Sequence, residues 1–197
     1  GGTDSTRGYV VGLAAIARRR RTLAFLLARS VVVLPFIGFL TYNSLVVSRL
    51  QGGTPGQAGL LVALFSVVYA VTATQSGRIA ARFDRPTLPL VGANLALGGG
   101  LVVFVLAPSV AAAAPAVTAM GVGVGVTFSL YRSIITGLAP QSFRGGLVSL
   151  SESGGRVAAT VAPVGIGGAL ALAEPSLGGE AALQWVVAAA GLAVVVL

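Results

Sequence analysis

Cysteine, histidine and lysine are all absent from the 197 residues, and charged residues make up only 9% of them. Each shortage excludes something. Without Cys there is no disulfide framework, thiolate metal site or cysteine nucleophile. Without His the usual general base and the commonest metal ligand are missing. A Ser–His intramembrane protease is therefore excluded. An intramembrane aspartyl protease needs two Asp inside the bilayer, whereas Asp4 and Asp84 sit in polar connecting segments. The composition argues against an enzyme. A soluble domain carries about 25% charged residues, so too few are present to coat a water-facing surface. Hydrophobic residues reach 55%, mean hydropathy is +0.93, and the apolar residues fall in long runs. These features predict an all-α integral membrane protein.

A helix needs about 20 apolar residues to cross roughly 30 Å of hydrocarbon. Six stretches qualify: Thr22–Val47, Gln57–Gly77, Thr87–Ala107, Ala111–Leu138, Leu147–Ala173 and Ala181–Leu197. Between them lies turn chemistry, such as Gln51-Gly52-Gly53-Thr54-Pro55-Gly56 and Glu174-Pro175 through Gly178-Gly179. Short connections make neighbours antiparallel. Residues 1–21 form a basic linker, whose Val10–Ala17 stretch is too short to span and is expected to lie as an amphipathic helix on the membrane surface. Residues 22–197 form the six-span domain. The chain opens on Gly1 without an initiator Met and closes inside an apolar run, which suggests a segment of a longer polypeptide.

The net charge of +8 is a topological signal, not a nucleic-acid footprint, because the arginines cluster in breaks between apolar runs. The N-terminal segment (Arg7, Arg18 to Arg21), the second-to-third loop (Arg78, Arg82, Arg85) and the fourth-to-fifth loop (Arg144) share one side. The opposite side carries Arg49 alone, with Glu174 and Glu180. By the positive-inside rule the N-terminal segment is cytoplasmic, in a multi-pass plasma-membrane protein.

Small residues recur every four positions: Gly92, Ala96 and Gly100; Gly121 and Gly125; Gly154, Ala158 and Ala162. Such rows let helix backbones approach closely. Four charges interrupt the apolar runs: Arg29, Arg132, Glu152 and Arg156. At a helix centre each costs roughly 2.5–3.5 kcal/mol on insertion scales, so each must snorkel, pair or serve function. Arg132 and Glu152 are equally far from the turn near Ser142, and Arg156 follows Glu152 by one helical turn. An Arg132–Glu152–Arg156 cluster on the cytoplasmic side is expected, as a tie between the fourth and fifth spans or as part of a gate. Arg29, Phe36, Phe39 and Asn43 share one face of the first span, near Pro35. That stripe is compatible with a cavity or with packing.

The order of these features resembles the C-terminal half of a major facilitator superfamily transporter. Its most specific local element is Gly77-Arg78-Ile79-Ala80-Ala81-Arg82-Phe83-Asp84-Arg85-Pro86. This loop is similar to the family's G-x-L-A-D-R-x-G-R-R, matching at Gly77, Ala80, Arg82 and Arg85 and departing at Ala81 and Asp84. Pro140 to Gly145 is similar to the family's Pro-x-x-x-Arg-Gly loop. Ala162-Pro163-Val164-Gly165-Ile166-Gly167-Gly168 is similar to the kink of its drug-antiporter branch.

The resemblance implies two three-helix inverted repeats forming half of a twelve-helix transporter, which rocks against an N-terminal six-helix half around a central site. It implies that Phe39, Asn43, Met120 and Phe128 contact a small, lipophilic or drug-like solute. It also implies that Gly77, Arg82 and Arg85, with the charge cluster, form cytoplasmic gate contacts. No cofactor is expected; a proton or sodium gradient would drive transport, and no G-x-x-x-x-G-K-[ST] motif for ATP is present. The competing readings are a non-transporting six-helix scaffold and a homodimeric permease subunit.

Overall fold

The computed structural model describes residues 2–83, 85 and 87–195, with side chains from residue 8 onward. Asp84 and Pro86 of the arginine loop and the last residues of the expected sixth span lie outside the described residues, as do the side chains of Asp4 and Arg7. Among the described residues the regular structure is entirely helical: α1 (Gly2–Ala17), α2 (Arg20–Val31), α3 (Val33–Arg49), α4 (Pro55–Ala80), α5 (Thr87–Leu106), α6 (Val110–Gly137), a single 3₁₀ turn (Gln141–Phe143), α7 (Arg144–Leu177) and α8 (Gly179–Val195).

Five of these units are long and apolar enough to cross a membrane: α2–α3 together, α4, α5, α6, and α7 with its leading turn. Among the described residues the expected sixth is a shorter apolar helix. Helix α8 covers 17 residues, about 25 Å at 1.5 Å per residue against roughly 30 Å of hydrocarbon. Its neighbour also departs from expectation. Helix α7 does not stop at Ala173 but continues through Pro175 to Leu177, absorbing most of the expected loop. Only Gly178 remains as the turn, at φ 81, where a side chain would be strained.

The other helix ends follow local chemistry. Thr54 caps α4: its hydroxyl accepts from the Gln57 amide while the Gln57 side chain accepts from the Thr54 amide. Pro55 takes the first helical position, where its missing N–H costs nothing. Ser109 caps α6 through the Ala112 amide. The first span is broken at Val32, so that Pro35 falls in the first turn of α3 instead of kinking a continuous helix.

Helix α6 packs most extensively on α4 and α5, α5 also lies against α8, and α7 lies against α2, α3 and α8. The core between them holds Phe39, Phe65, Leu97, Leu101, Phe104, Met120 and Leu183. Lipid tails are as apolar as these side chains, so association rests on close packing more than on water exclusion. Glycine supplies the closest approaches. A Cβ at Gly123 would stand 2.6 Å from the Ala93 carbonyl oxygen and 2.6 Å from the Leu97 nitrogen. Gly121 and Gly125 meet α4 backbone in the same way, and Gly100 makes room for Met120. Gly92, by contrast, faces open space.

The expected surface helix is longer than Val10–Ala17 and is docked. Tyr9 stacks on Phe143 at 5.2 Å, Gly12 lies against the same ring, and Ile16 joins a small cluster with Ile135, Ala139 and Leu147. Helix α1 is thus seated on the α6–α7 connection.

Candidate functional site

Helices α2, α6 and α7 each bring one residue to a common depth. Arg29 lies in the last turn of α2, Phe128 about nine residues before the end of α6, and Glu152 eight after the start of α7. At 1.5 Å per residue all three sit about 12–14 Å in from the same end of the bundle. The guanidinium carbon of Arg29 is 4.2 Å from the centre of the Phe128 ring, a cation–π contact. Arg29 Nη2 is 3.9 Å from Glu152 Oε2. That distance permits charge neutralisation but exceeds hydrogen-bond reach.

The two partners differ sharply in environment. The Arg29 side chain is 8% exposed and that of Glu152 is 48% exposed. Nη1 of Arg29 is buried with no hydrogen-bond partner among the described residues. Gly155, one turn from Ser151 on α7, leaves the space beside it: a Cβ there would lie 3.5 Å from Nη1. Behind Phe128, aromatic rings continue across the bundle through Phe36, Phe65, Phe39 and Phe104, at centroid spacings of 5.1–5.8 Å. A buried cation therefore stands at the end of an aromatic ladder.

This arrangement corrects the expected Arg132–Glu152–Arg156 cluster. Glu152 pairs with Arg29 instead, and Arg132 and Arg156 are both exposed. Residue counting from the turn set Arg132 level with Glu152, but α6 ends at Gly137 and α7 starts at Arg144, so Arg132 lies about one turn nearer the end of the bundle, and Arg29 takes the carboxylate. The four stripe residues of the first span do share a face, and that face turns into the helical core. Phe39 is fully buried, and Asn43 donates from Nδ2 to the Ala58 carbonyl at 2.9 Å. Met120 is likewise fully buried. Of the four expected solute contacts only Phe128 lies at the Arg29 site. Gly77, Arg82 and Arg85 are exposed at the α4–α5 connection, apart from it.

Helix α7 carries a feature that residue counting missed. With 100° per residue, its side chains sort into three faces. Leu147, Ser151, Gly155, Ala162 and Ile166 form the buried one. Leu150, Val157, Val161, Val164 and Leu172 form an exposed apolar one. Ser149, Glu152, Arg156 and Thr160 fall within roughly 80° of arc and are all exposed. The exposed part of α7 is thus apolar on one side and polar on the other. The signal was available in the sequence, at spacing i, i+3, i+7 and i+11.

At mid-length of α7, the Tyr42 hydroxyl donates to the Pro163 carbonyl at 2.9 Å. Gly167 leaves room for it, since a Cβ there would stand 3.1 Å from the hydroxyl. Tyr42→Phe should lower stability by about 0.5–1.5 kcal/mol, read as a small fall in melting temperature. An unchanged melting temperature would remove this bond from the α3–α7 seam. An apolar groove of about 830 Å³ runs beside the seam, lined by Leu27, Val31, Val157, Val161 and Val186 among others. A smaller cavity of about 310 Å³ lies between α2, α5, α6 and α8, near Phe25, Asn94 and Tyr131. Neither is lined by Phe39, Asn43 or Met120.

Comparison with protein-family models, with curated proteins and with solved structures gives no match for this chain.

Proposed function

We propose that this chain is one half of a secondary active transporter of the major facilitator type, moving a small solute with an apolar body across the membrane by rocking against a second six-helix half. The observation that carries this reading is the polar face of α7. A charged side chain facing lipid is expensive, and such residues in spans line cavities or meet other protein. Glu152 and Arg156, with Ser149 and Thr160, lie exposed beside a valine-rich face suited to lipid. The polar side calls for a covering half or a water-filled path.

The helix packing supports the same reading. Take α2–α3, α4 and α5 as one triplet and α6, α7 and α8 as the other. The first member of each then packs on the second and third of the other, and the two third members meet. Two related three-helix repeats would give that reciprocity. The arginine bias puts the α1, α4–α5 and α6–α7 segments in the cytoplasm, and the seat of α1 on the α6–α7 connection supports their common side.

The chain's lack of cysteine makes the test direct. Single cysteines at Thr160 and Val161 occupy the two exposed sides of α7. With the facing half present in cells, a water-soluble thiol reagent should label the Thr160 position and spare the Val161 position. Equal inertness at both would remove the aqueous path. Single cysteines at Ser142 and Ser176 test orientation: an impermeant reagent on intact cells should label only Ser176. Expressed without the facing half, the chain should insert but move no solute, and robust flux from the purified chain would favour a homodimeric permease.

A further inference from the structure

We propose that Arg29 is an anion subsite for a carboxylate carried on an apolar organic body, and that Glu152 is the displaceable counter-ion occupying its place. This deepens the transporter reading above and rests on it for the claim that the carboxylate belongs to a transported solute.

A guanidinium offers five N–H donors in a planar fork that matches a carboxylate through two parallel hydrogen bonds. Arg29 uses none of that capacity at Nη1, which is buried without a partner among the described residues. Leaving a buried donor unmade is costly, and more so for a charged group. Glu152 supplies charge but not hydrogen bonds, because 3.9 Å is too long. It is also half exposed, so it can leave for water at little loss. The Phe128 ring lies against the guanidinium, 4.2 Å from its central carbon. Gly155 presents no side chain to Nη1, where a Cβ would stand 3.5 Å away.

The resident group defines the ligand class. Glu152 presents a carboxylate to Arg29, so a carboxylate from elsewhere competes on equal chemical terms. The half-buried rings of Phe128 and Phe36, packed edge to face, give an apolar surface to the rest of such a molecule. Arg156, one turn beyond Glu152 and exposed on the same face, adds positive potential along the approach.

The test uses the purified chain in phosphatidylcholine nanodiscs, with 4-phenylbutyrate as probe and its neutral amide as control. The carboxylate should raise the melting temperature saturably, and the amide should not. Glu152→Gln removes the competitor and should tighten binding roughly tenfold. Arg29→Lys keeps the charge but loses the fork and should weaken it by roughly the same factor, while Arg29→Gln should abolish it. Equal responses to acid and amide, or weaker binding in Glu152→Gln, would overturn the proposal. Anionic lipid is the other source of an oxyanion. If phosphatidylglycerol gives an Arg29-dependent rise and phenylbutyrate gives none, the solute assignment falls and the subsite belongs to a headgroup. Binding is read at equilibrium without flux. Loss of this subsite with Thr160 still labelled therefore refutes the inference alone, whereas binding without that labelling refutes the transporter reading.

Discussion

Gly123→Ala should destabilise the bundle by about 3 kcal/mol or more, an unusually large effect for adding one methyl group. The added carbon meets the Ala93 carbonyl oxygen and the Leu97 nitrogen of α5, each at 2.6 Å, and Leu97 Cβ at 2.9 Å. Backbone atoms cannot rotate out of the way as a flexible side chain can. Helix α5 must move bodily, and it is also held by α8 on its other side. Gly92→Ala is the matched control, since nothing lies within 4 Å of the new carbon. It should be neutral or stabilise by up to about 1 kcal/mol through helix propensity. Thermal unfolding of the two variants in the same bilayer mimetic checks this. Equal melting temperatures would refute the backbone-contact account of the α5–α6 seam.

Arg29→Met should do the opposite to stability while abolishing transport by the assembled protein. Methionine fills much of the same volume and brings no charge inside. Replacing buried ionic groups by apolar ones of similar size is often neutral or stabilising by about 1–4 kcal/mol. Here Nη1 of the buried cation has no hydrogen-bond partner among the described residues, so its removal relieves a burden. Glu152 loses little, because it is half exposed and exposed pairs contribute about 0–1 kcal/mol. At about 2–4 °C per kcal/mol for a domain of this size, the melting temperature should hold or rise by several degrees, while solute flux falls to background. A melting temperature that drops by several degrees would instead make the Arg29–Glu152 pair a structural tie.

Much of the fold was legible because bilayer physics is read through length and hydropathy. The spans from Gln57, Thr87 and Ala111 each lie within or nearly match a helix. Azimuth was harder to read. Counting from a turn set Arg132 opposite Glu152, but the helix ends put Phe128 at that depth, and only the tertiary packing brings Arg29 to both. The row Gly121–Gly125 follows four-residue spacing and does meet α4. Gly123, between them, points about 200° away to a different neighbour and belongs to no row. Proline misled in one place. Pro175 marked a loop by its usual habit, yet its missing N–H is tolerated inside the last turns of α7, and the helix runs on. Arg29, Phe36, Phe39 and Asn43 were correctly assigned to one face. Which medium that face meets, solute or protein, depends on neighbours that no local pattern encodes.

The break at Val32 divides the first span into two short rods with separate anchorage. The outer rod, α3, is pinned by Phe39 and Asn43 in the core and by Tyr42 on α7. The inner rod, α2, carries Arg29 and rests chiefly on α7 and α6. Pro35, with no amide hydrogen to give, withholds the bond that would weld the two into one. Arg29 and the α3 anchors Tyr42 and Asn43 therefore lie on opposite sides of the break. The first span thus divides its work at one buried residue, with the ionic contact on the α2 side of Val32 and the inter-helix hydrogen bonds on the α3 side.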